Sequence, residues 1–207
     1  VFDAERLEQQ SELQALCDGL AGVAMLAFAP PLVKNLAQVK APQGVFFRVS
    51  VQAPVVPECL VSNSLWLDRI QDPGNMGTLL RTAAAAGVQE IYASQGCADA
   101  WSPKVLRAAQ GAHFALRVFE KTDLEALCSR LQVPLLATSL EHATSLYDAA
   151  LPSACAWVFG NEGQGVHAEL LSRADRRVFI PQAAGVESLN VTVAAGICLF
   201  EQKRQNS

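Results

Sequence analysis

From Leu60 onward the chain alternates short apolar runs with longer segments whose apolar residues recur every three or four positions. Leu65–Asp68, Glu90–Ala93, Phe114–Val118, Pro134–Ala137, Ala156–Phe159 and Val178–Ile180 have the length and composition of strands. Between them Gly77–Ala86, Lys104–Gln110, Asp123–Leu131 and Ala168–Ala174 are spaced as helices, and a last helix is predicted from Asn190 to Gln202. Strands alternating with helices call for crossover connections. The predicted fold class is therefore α/β, a mostly parallel sheet with helices on both faces. Ligands of such sheets sit beyond the carboxyl ends of the strands.

Upstream the pattern is less regular. Phe2–Leu20 is polar and helical in spacing, with apolar positions at Leu7, Leu13, Leu16 and Leu20, and Gly44–Val49 is strand-like. Pro54 and Pro57 mark a border. Residues 1–55 are expected to be the remnant of an N-terminal domain plus its linker, and residues 56–207 the main domain. A chain that opens on Val1 instead of Met is expected to have lost N-terminal residues.

Composition narrows the class. Of 207 residues 51% are hydrophobic and 17% charged, which favours a packed core over disorder. No apolar stretch is long enough to span a bilayer, and Leu20–Pro31 lacks the basic start of a signal peptide, so a cytoplasmic protein is expected. Cys17, Cys59, Cys97, Cys128, Cys155 and Cys198 are scattered, as are His113, His142 and His167, so spacing argues for neither a disulfide frame nor a metal site. The net charge of −4 mildly opposes a nucleic-acid partner, although Lys104 with Arg107, and Arg173 with Arg176 and Arg177, are local basic clusters.

Three loops carry candidate chemistry. In V-F-G-N-E-G-Q-G-V, Gly160, Gly163 and Gly165 let the backbone approach a ligand, and Glu162 is the one ionisable residue. In F-I-P-Q-A-A-G-V-E-S-L-N, Pro181 ends a strand and Ser188 is placed to cap the following helix. In L-D-R-I-Q-D-P-G-N-M-G-T-L-L-R-T-A, Asp72-Pro73-Gly74-Asn75 writes a turn before a helix, and Arg81 beside that helix start makes an anion site. Each alone has a bland reading: a glycine turn, a helix cap, a surface arginine.

Together, and with S-P-K-V-L-R-A-A-Q-G-A-H-F between them, the four stretches resemble in order the SpoU family of RNA ribose 2′-O-methyltransferases. The resemblance runs from about Leu65 to Glu201, and the ending G-I-C-L-F-E is similar to the branch acting on a guanosine of bacterial large-subunit ribosomal RNA. It implies a C-terminal deep trefoil knot, S-adenosyl-L-methionine as cofactor, no metal, an rRNA or tRNA substrate and a homodimer. It also implies that residues 1–55 belong to an RNA substrate-binding domain. By position, Gly160, Asn161, Gly165, Ile180, Pro181, Ser188 and Leu189 fall on the family's cofactor contacts. Asn75, Arg81, Glu162, Ser188 and Asn190 fall on its reaction centre. Because a guanidinium stays protonated, Arg81 is expected to clamp an RNA phosphate and not to act as a free base.

Two departures stand out. Ile180-Pro181-Gln182-Ala183-Ala184-Gly185 replaces the family's I-P-M-x-G, and Ala109-Gln110 stands where a small hydroxyl residue is common. A silent RNA-binding or assembly protein with the same fold is the rival reading, opposed by the presence of all five polar residues. A nicotinamide-dependent oxidoreductase is opposed by the missing G-x-G-x-x-G after the first strand.

Overall fold

The computed structural model describes residues 1–37, 42–161, 163–185 and 188–207, and divides into two compact units, Val1–Gln52 and Ala53–Ser207. Within the first, β1 (Phe2–Asp3) pairs in parallel with β2 (Ala27–Phe28), α1 (Ala4–Gln9) and α3 (Pro30–Leu36) contact β1, and α2 (Ser11–Gly19) packs on α1. The single helix expected over Phe2–Leu20 is broken at Gln10, whose backbone is extended (φ −116°, ψ 109°). Gly44–Val49 makes one antiparallel bridge, Val45 to Phe2, and Phe47 and Val49 remain exposed, so the apolar run does not become a strand. Phe2, Leu13 and Val33 are its buried apolar residues among those described.

The second unit is built on a sheet of seven parallel strands. They are β3 (Ser64–Asp68), β4 (Glu90–Ser94), β5 (Arg117–Thr122), β6 (Leu135–Thr138), β7 (Thr144–Ser145), β8 (Ala156–Gly160) and β9 (Arg176–Phe179), in the spatial order β5-β4-β3-β8-β6-β9-β7. The helices are α4 (Pro73–Ala86), α5 (Pro103–Ala109), α6 (Leu124–Leu127), α7 (Ala168–Arg173) and α8 (Val191–Gln205). Alternate residues of each strand divide between two cores. Leu65, Leu67, Ile91, Trp157 and Phe159 pack with α4, α5 and α8. Trp66, Tyr92, Phe119, Ala156 and Val158 pack with α6 and α7. This is why β3 and β8 are buried at every position and read as continuous apolar runs. On the second face Tyr92 stacks on Phe119 with ring centroids 4.6 Å apart.

Local chemistry moves several predicted boundaries. The Asp72-Pro73-Gly74-Asn75 stretch is the first turn of α4, not a loop before it: Asp72 is the cap, accepting from the Asn75 amide at 2.7 Å, with Pro73 at the first helical position. The predicted strand Phe114–Val118 starts later, at Arg117. Gln110 and Gly111 are both left-handed (φ 50° and 84°), and the chain then makes a 3-10 turn over Ala112–Ala115 that leaves Phe114 99% exposed. Asp123 caps α6, and the predicted helix tightens into a 3-10 turn from Cys128 to Arg130. Gly77 lets α4 lie on α5, because a Cβ there would come within 2.5 Å of Ala108 Cβ.

The cysteines divide by burial. Cys59 is exposed, whereas Cys155 and Cys198 are buried and their thiols are pushed up to about 12 by desolvation. Iodoacetamide at neutral pH is expected to alkylate Cys59 in the native protein and to reach Cys155 and Cys198 only after unfolding. Mass spectrometry of peptides labelled with and without urea checks this; rapid native labelling of Cys198 would contradict the packing of α8.

Candidate functional site

Because the strands are parallel, their carboxyl ends open on one edge of the sheet. There the loops after β6, β8 and β9 and the start of α8 enclose a cavity of about 530 Å³, within the range of about 300–1,000 Å³ usual for small-molecule sites. Thr138, Ser139 and Leu140 come from β6 and its loop, and Phe159, Gly160, Asn161, Gly163, Gly165 and Val166 from β8 and its loop. Val178, Phe179, Ile180 and Gln182 come from β9 and its continuation, and Ser188, Leu189, Asn190, Val191 and Ala194 from the entry to α8. None of these carries a formal charge. The described part of the wall, mixed in polarity and without charge, offers a ligand backbone groups, amides and apolar contact.

The β8 loop is set by one close approach. A Cβ on Gly160 would lie 2.1 Å from the Gly165 carbonyl carbon and 2.1 Å from the Val166 amide nitrogen, so only glycine lets these two stretches cross. Gly165 supplies the second requirement, a left-handed backbone at φ 70°. Asn161 ties the loop together: its Oδ1 accepts from the amides of Gly163 (2.9 Å) and Gln164 (3.1 Å), and its backbone carbonyl accepts from Gly165 at 2.8 Å. Its Nδ2 donates to the Arg69 carbonyl. The Asn161 side chain thus shapes the wall.

On the other side Asn190 caps α8, its Oδ1 accepting from the Thr192 amide at 2.8 Å. The cap is therefore Asn190 and not Ser188, which is exposed on the cavity wall. Asn190 Nδ2 donates to Asn75 Oδ1 at 3.1 Å, so the starts of α4 and α8 are joined. Both helices present their electropositive ends there.

Of the residues singled out in the sequence, Gly160, Asn161, Gly165, Ile180, Ser188, Leu189 and Asn190 come together on the cavity, and Asn75 joins them through Asn190. Pro181 is exposed and outside the wall. Arg81 lies on the exposed face of α4, also outside the wall, with no hydrogen bond or ion pair to the described residues. Glu162, Val186 and Glu187 lie outside the described residues. Sequence reasoning passed over Thr138, Ser139 and Leu140, although their place at the end of a parallel strand was the available signal. It also passed over a group away from the cavity, Glu125, His167 and Glu169, whose ligating atoms all lie within 4.8 Å of one another. There His167 Nδ1 is 3.4 Å from Glu125, and Glu169 also faces Arg173 at 3.9 Å. The Arg173, Arg176 and Arg177 cluster is engaged internally, with Glu169, Ala150 O and Leu171 O. Lys104 and Arg107 stay exposed on α5.

The SpoU rRNA Methylase family matches residues 62–200, and the chain belongs to that family. It is 42% identical over 144 residues to an uncharacterized tRNA/rRNA methyltransferase of Synechocystis, covering 68% of this chain and 53% of that protein. It is 39% identical over 139 residues to the 23S rRNA (guanosine(2553)-2'-O)-methyltransferase of Bacillus subtilis, covering 66% of this chain and 56% of that protein. An AdoMet-bound rRNA methyltransferase from Sinorhizobium meliloti superposes with a TM-score of 0.79 at 28% identity, covering 98% of this chain and 78% of the other. The chain spans about half the length of the curated relatives it matches. Among the described residues no helix is long and apolar enough to cross a membrane.

Gly160→Ala is expected to lower stability by about 1–3 kcal/mol through overpacking, seen as a reduced urea midpoint. Gly163→Ala, whose Cβ would meet, among the described residues, only Asn161 Oδ1 at 3.6 Å, is expected to leave the midpoint nearly unchanged. Equal midpoints for the two variants would show that the crossing at Gly160 is not rigid.

Proposed function

We propose that this chain is an S-adenosyl-L-methionine-dependent methyltransferase acting on a ribose 2′-hydroxyl of rRNA or tRNA. The observation that carries the reading is the cavity itself, walled by Gly160, Ile180, Ser188, Leu189 and Asn190 in a member of the SpoU family. The backbone, amide and apolar groups of its described wall suit a ligand that joins an adenine and a sulfonium to an amino acid. S-adenosyl-L-methionine, when bound, supplies the methyl group that the 2′-oxygen takes up.

The chain's own residues divide the remaining work. Gly160, Asn161, Gly165, Ile180, Ser188 and Leu189 hold the cofactor, Asn161 through the loop it organises, while Pro181, outside the wall, fixes the chain direction after β9. Gln182, in place of the family's methionine, adds an amide to the wall. Asn75 and Asn190, hydrogen-bonded to each other, orient the substrate side, with Ser188 and Glu162 completing the centre. Arg81 binds the phosphate next to the target ribose and stabilises the alkoxide that forms, while that phosphate or a water takes the proton. The exposed guanidinium, unengaged among the described residues, supports this role.

The architecture belongs to the same proposal. The segment from β9 to α8 forms a deep trefoil knot. β8, which follows β6 in the chain, lies between β3 and β6, β9 lies beyond β6, and α8 returns to pack on α4 and β8. The protein works as a homodimer in the cytoplasm, with a second copy covering Val193 and Phe200, 49% and 46% exposed and seven residues apart on α8. Residues 1–55 are the remnant of an RNA substrate-binding domain plus its linker, a reading supported by the separation of Val1–Gln52 as a unit of its own.

Calorimetric titration is expected to show saturable binding of S-adenosyl-L-methionine and none of a reduced nicotinamide cofactor. Arg81→Ala is expected to keep that affinity and lose about 10²-fold or more in methyl transfer to RNA, and RNA affinity is expected to fall steeply with salt. A folded chain that takes up RNA but no S-adenosyl-L-methionine would overturn the assignment in favour of a silent RNA-binding protein. Full turnover by Arg81→Ala would remove the phosphate clamp.

A further inference from the structure

Arg69 leaves β3 in a left-handed backbone conformation, φ 56°, which residues with a Cβ seldom adopt. The surroundings enforce it. The Arg69 amide donates to Ser94 Oγ at 2.9 Å, the Ile70 amide donates to Cys97 Sγ at 3.3 Å, and the Ala98 amide donates to the Ile70 carbonyl at 2.8 Å. The turn is thereby fastened to the loop after β4. In this conformation the Arg69 carbonyl accepts from Asn161 Nδ2 at 3.0 Å.

The side chain reaches the same loop by a second route. Nε and Nη2 of Arg69 donate to the two oxygens of Asp68 at 3.1 and 3.2 Å, and Nη1 donates to Gln164 Oε1 at 3.2 Å. Asp68 is itself fixed: it is buried, pairs in register with Gly160 and accepts from the His167 amide at 2.9 Å. One residue thus grips the loop of residues 160–165 at Asn161 and at Gln164. Neither Arg69 nor Gln164 lines the cavity.

We propose that Arg69 is a positioning residue that holds Asn161 and Gln164 where the β8 loop receives the cofactor, through its carbonyl on Asn161 and its guanidinium bridging Asp68 to Gln164. This rests on the reading of the cavity as the S-adenosyl-L-methionine site. The planar fork of arginine suits the task, since it holds a carboxylate with one edge and an amide oxygen with another, which a lysine cannot do. Free of this bridge, a loop containing Gly163 and Gly165 samples more conformations before binding. The cofactor's apparent affinity then falls by the fraction of time the loop is correctly shaped.

The decisive variants are at Gln164, which is exposed, so that folding is preserved. Gln164→Ala removes the acceptor of Arg69 Nη1, and Gln164→Glu keeps an acceptor at the same reach. In wild-type, Gln164→Ala and Gln164→Glu chains the measurements are calorimetric affinity for S-adenosyl-L-methionine and amide hydrogen exchange at Gly163, Gln164 and Gly165 without ligand. Gln164→Ala is expected to weaken binding about five- to tenfold, the net effect of one ordinary, partly exposed hydrogen bond. It should also speed exchange at those amides at an unchanged melting temperature, and Gln164→Glu should restore both. Unchanged exchange in Gln164→Ala, equal losses in the two variants, or unchanged affinity where the wild type binds would each overturn the proposal. A wild-type chain that binds no S-adenosyl-L-methionine overturns the cofactor reading instead, and the exchange rates still decide whether Arg69 holds the loop.

Discussion

The site depends on one steric constraint, the absence of room at Gly160. Its backbone lies against that of Gly165 and Val166 so closely that no side chain fits between them. The loop that leaves β8 must therefore fold back across its own origin, which turns the end of a buried strand into a wall. The bridge between Asn161 and Gly165 and the Asn161 side chain follow from that crossing. So does the reach of the loop toward the turn after β3, two strands' worth of backbone brought to one point.

A second arrangement complements the first. The starts of α4 and α8 meet through Asn75 and Asn190, the latter also serving as the cap of α8. A residue that caps a helix and bonds across to another helix cannot be exchanged for an ordinary cap such as serine or aspartate without loosening one of the two contacts. Gln202 plays a comparable role deeper in the molecule, its side chain taking a bond from the buried Trp157 indole and giving others to Asn63 and Pro152. Polar groups inside this domain are tied to more than one element, which gives α8 a single seat on the sheet.

Much of this was legible beforehand for a definite reason. Buried parallel strands carry uninterrupted apolar runs, so β3, β4, β6 and β8 are found within a residue or two. Where prediction slipped, a local rule was outweighed by a neighbouring one. Asp72-Pro73-Gly74-Asn75 has turn composition, but a capping aspartate followed by proline is equally a helix start. Phe114 belongs to an apolar run, but the two left-handed residues before it redirect the chain. The two-residue β7 is too short for periodicity to register. The two motifs that follow β8 and β9 located most of the cavity wall because each sits at a strand's carboxyl end. Thr138–Leu140 escaped because three ordinary residues carry no motif, and the grip of Arg69 escaped because its backbone angle is imposed by Ser94 at the end of β4 and Cys97 in the loop after it.

The cavity wall is drawn from stretches near residues 138, 160, 180 and 190, each contributed by a different strand end or helix start. No single supersecondary unit contains enough of it to form the pocket alone. The sheet order sets β8 between β3 and β6, strands begun some ninety and twenty residues earlier. Such pairings are entropically expensive to close and slow to form. The pocket thus exists only when all of these long-range pairings are closed, so ligand uptake marks the completed native state more stringently than helix content does.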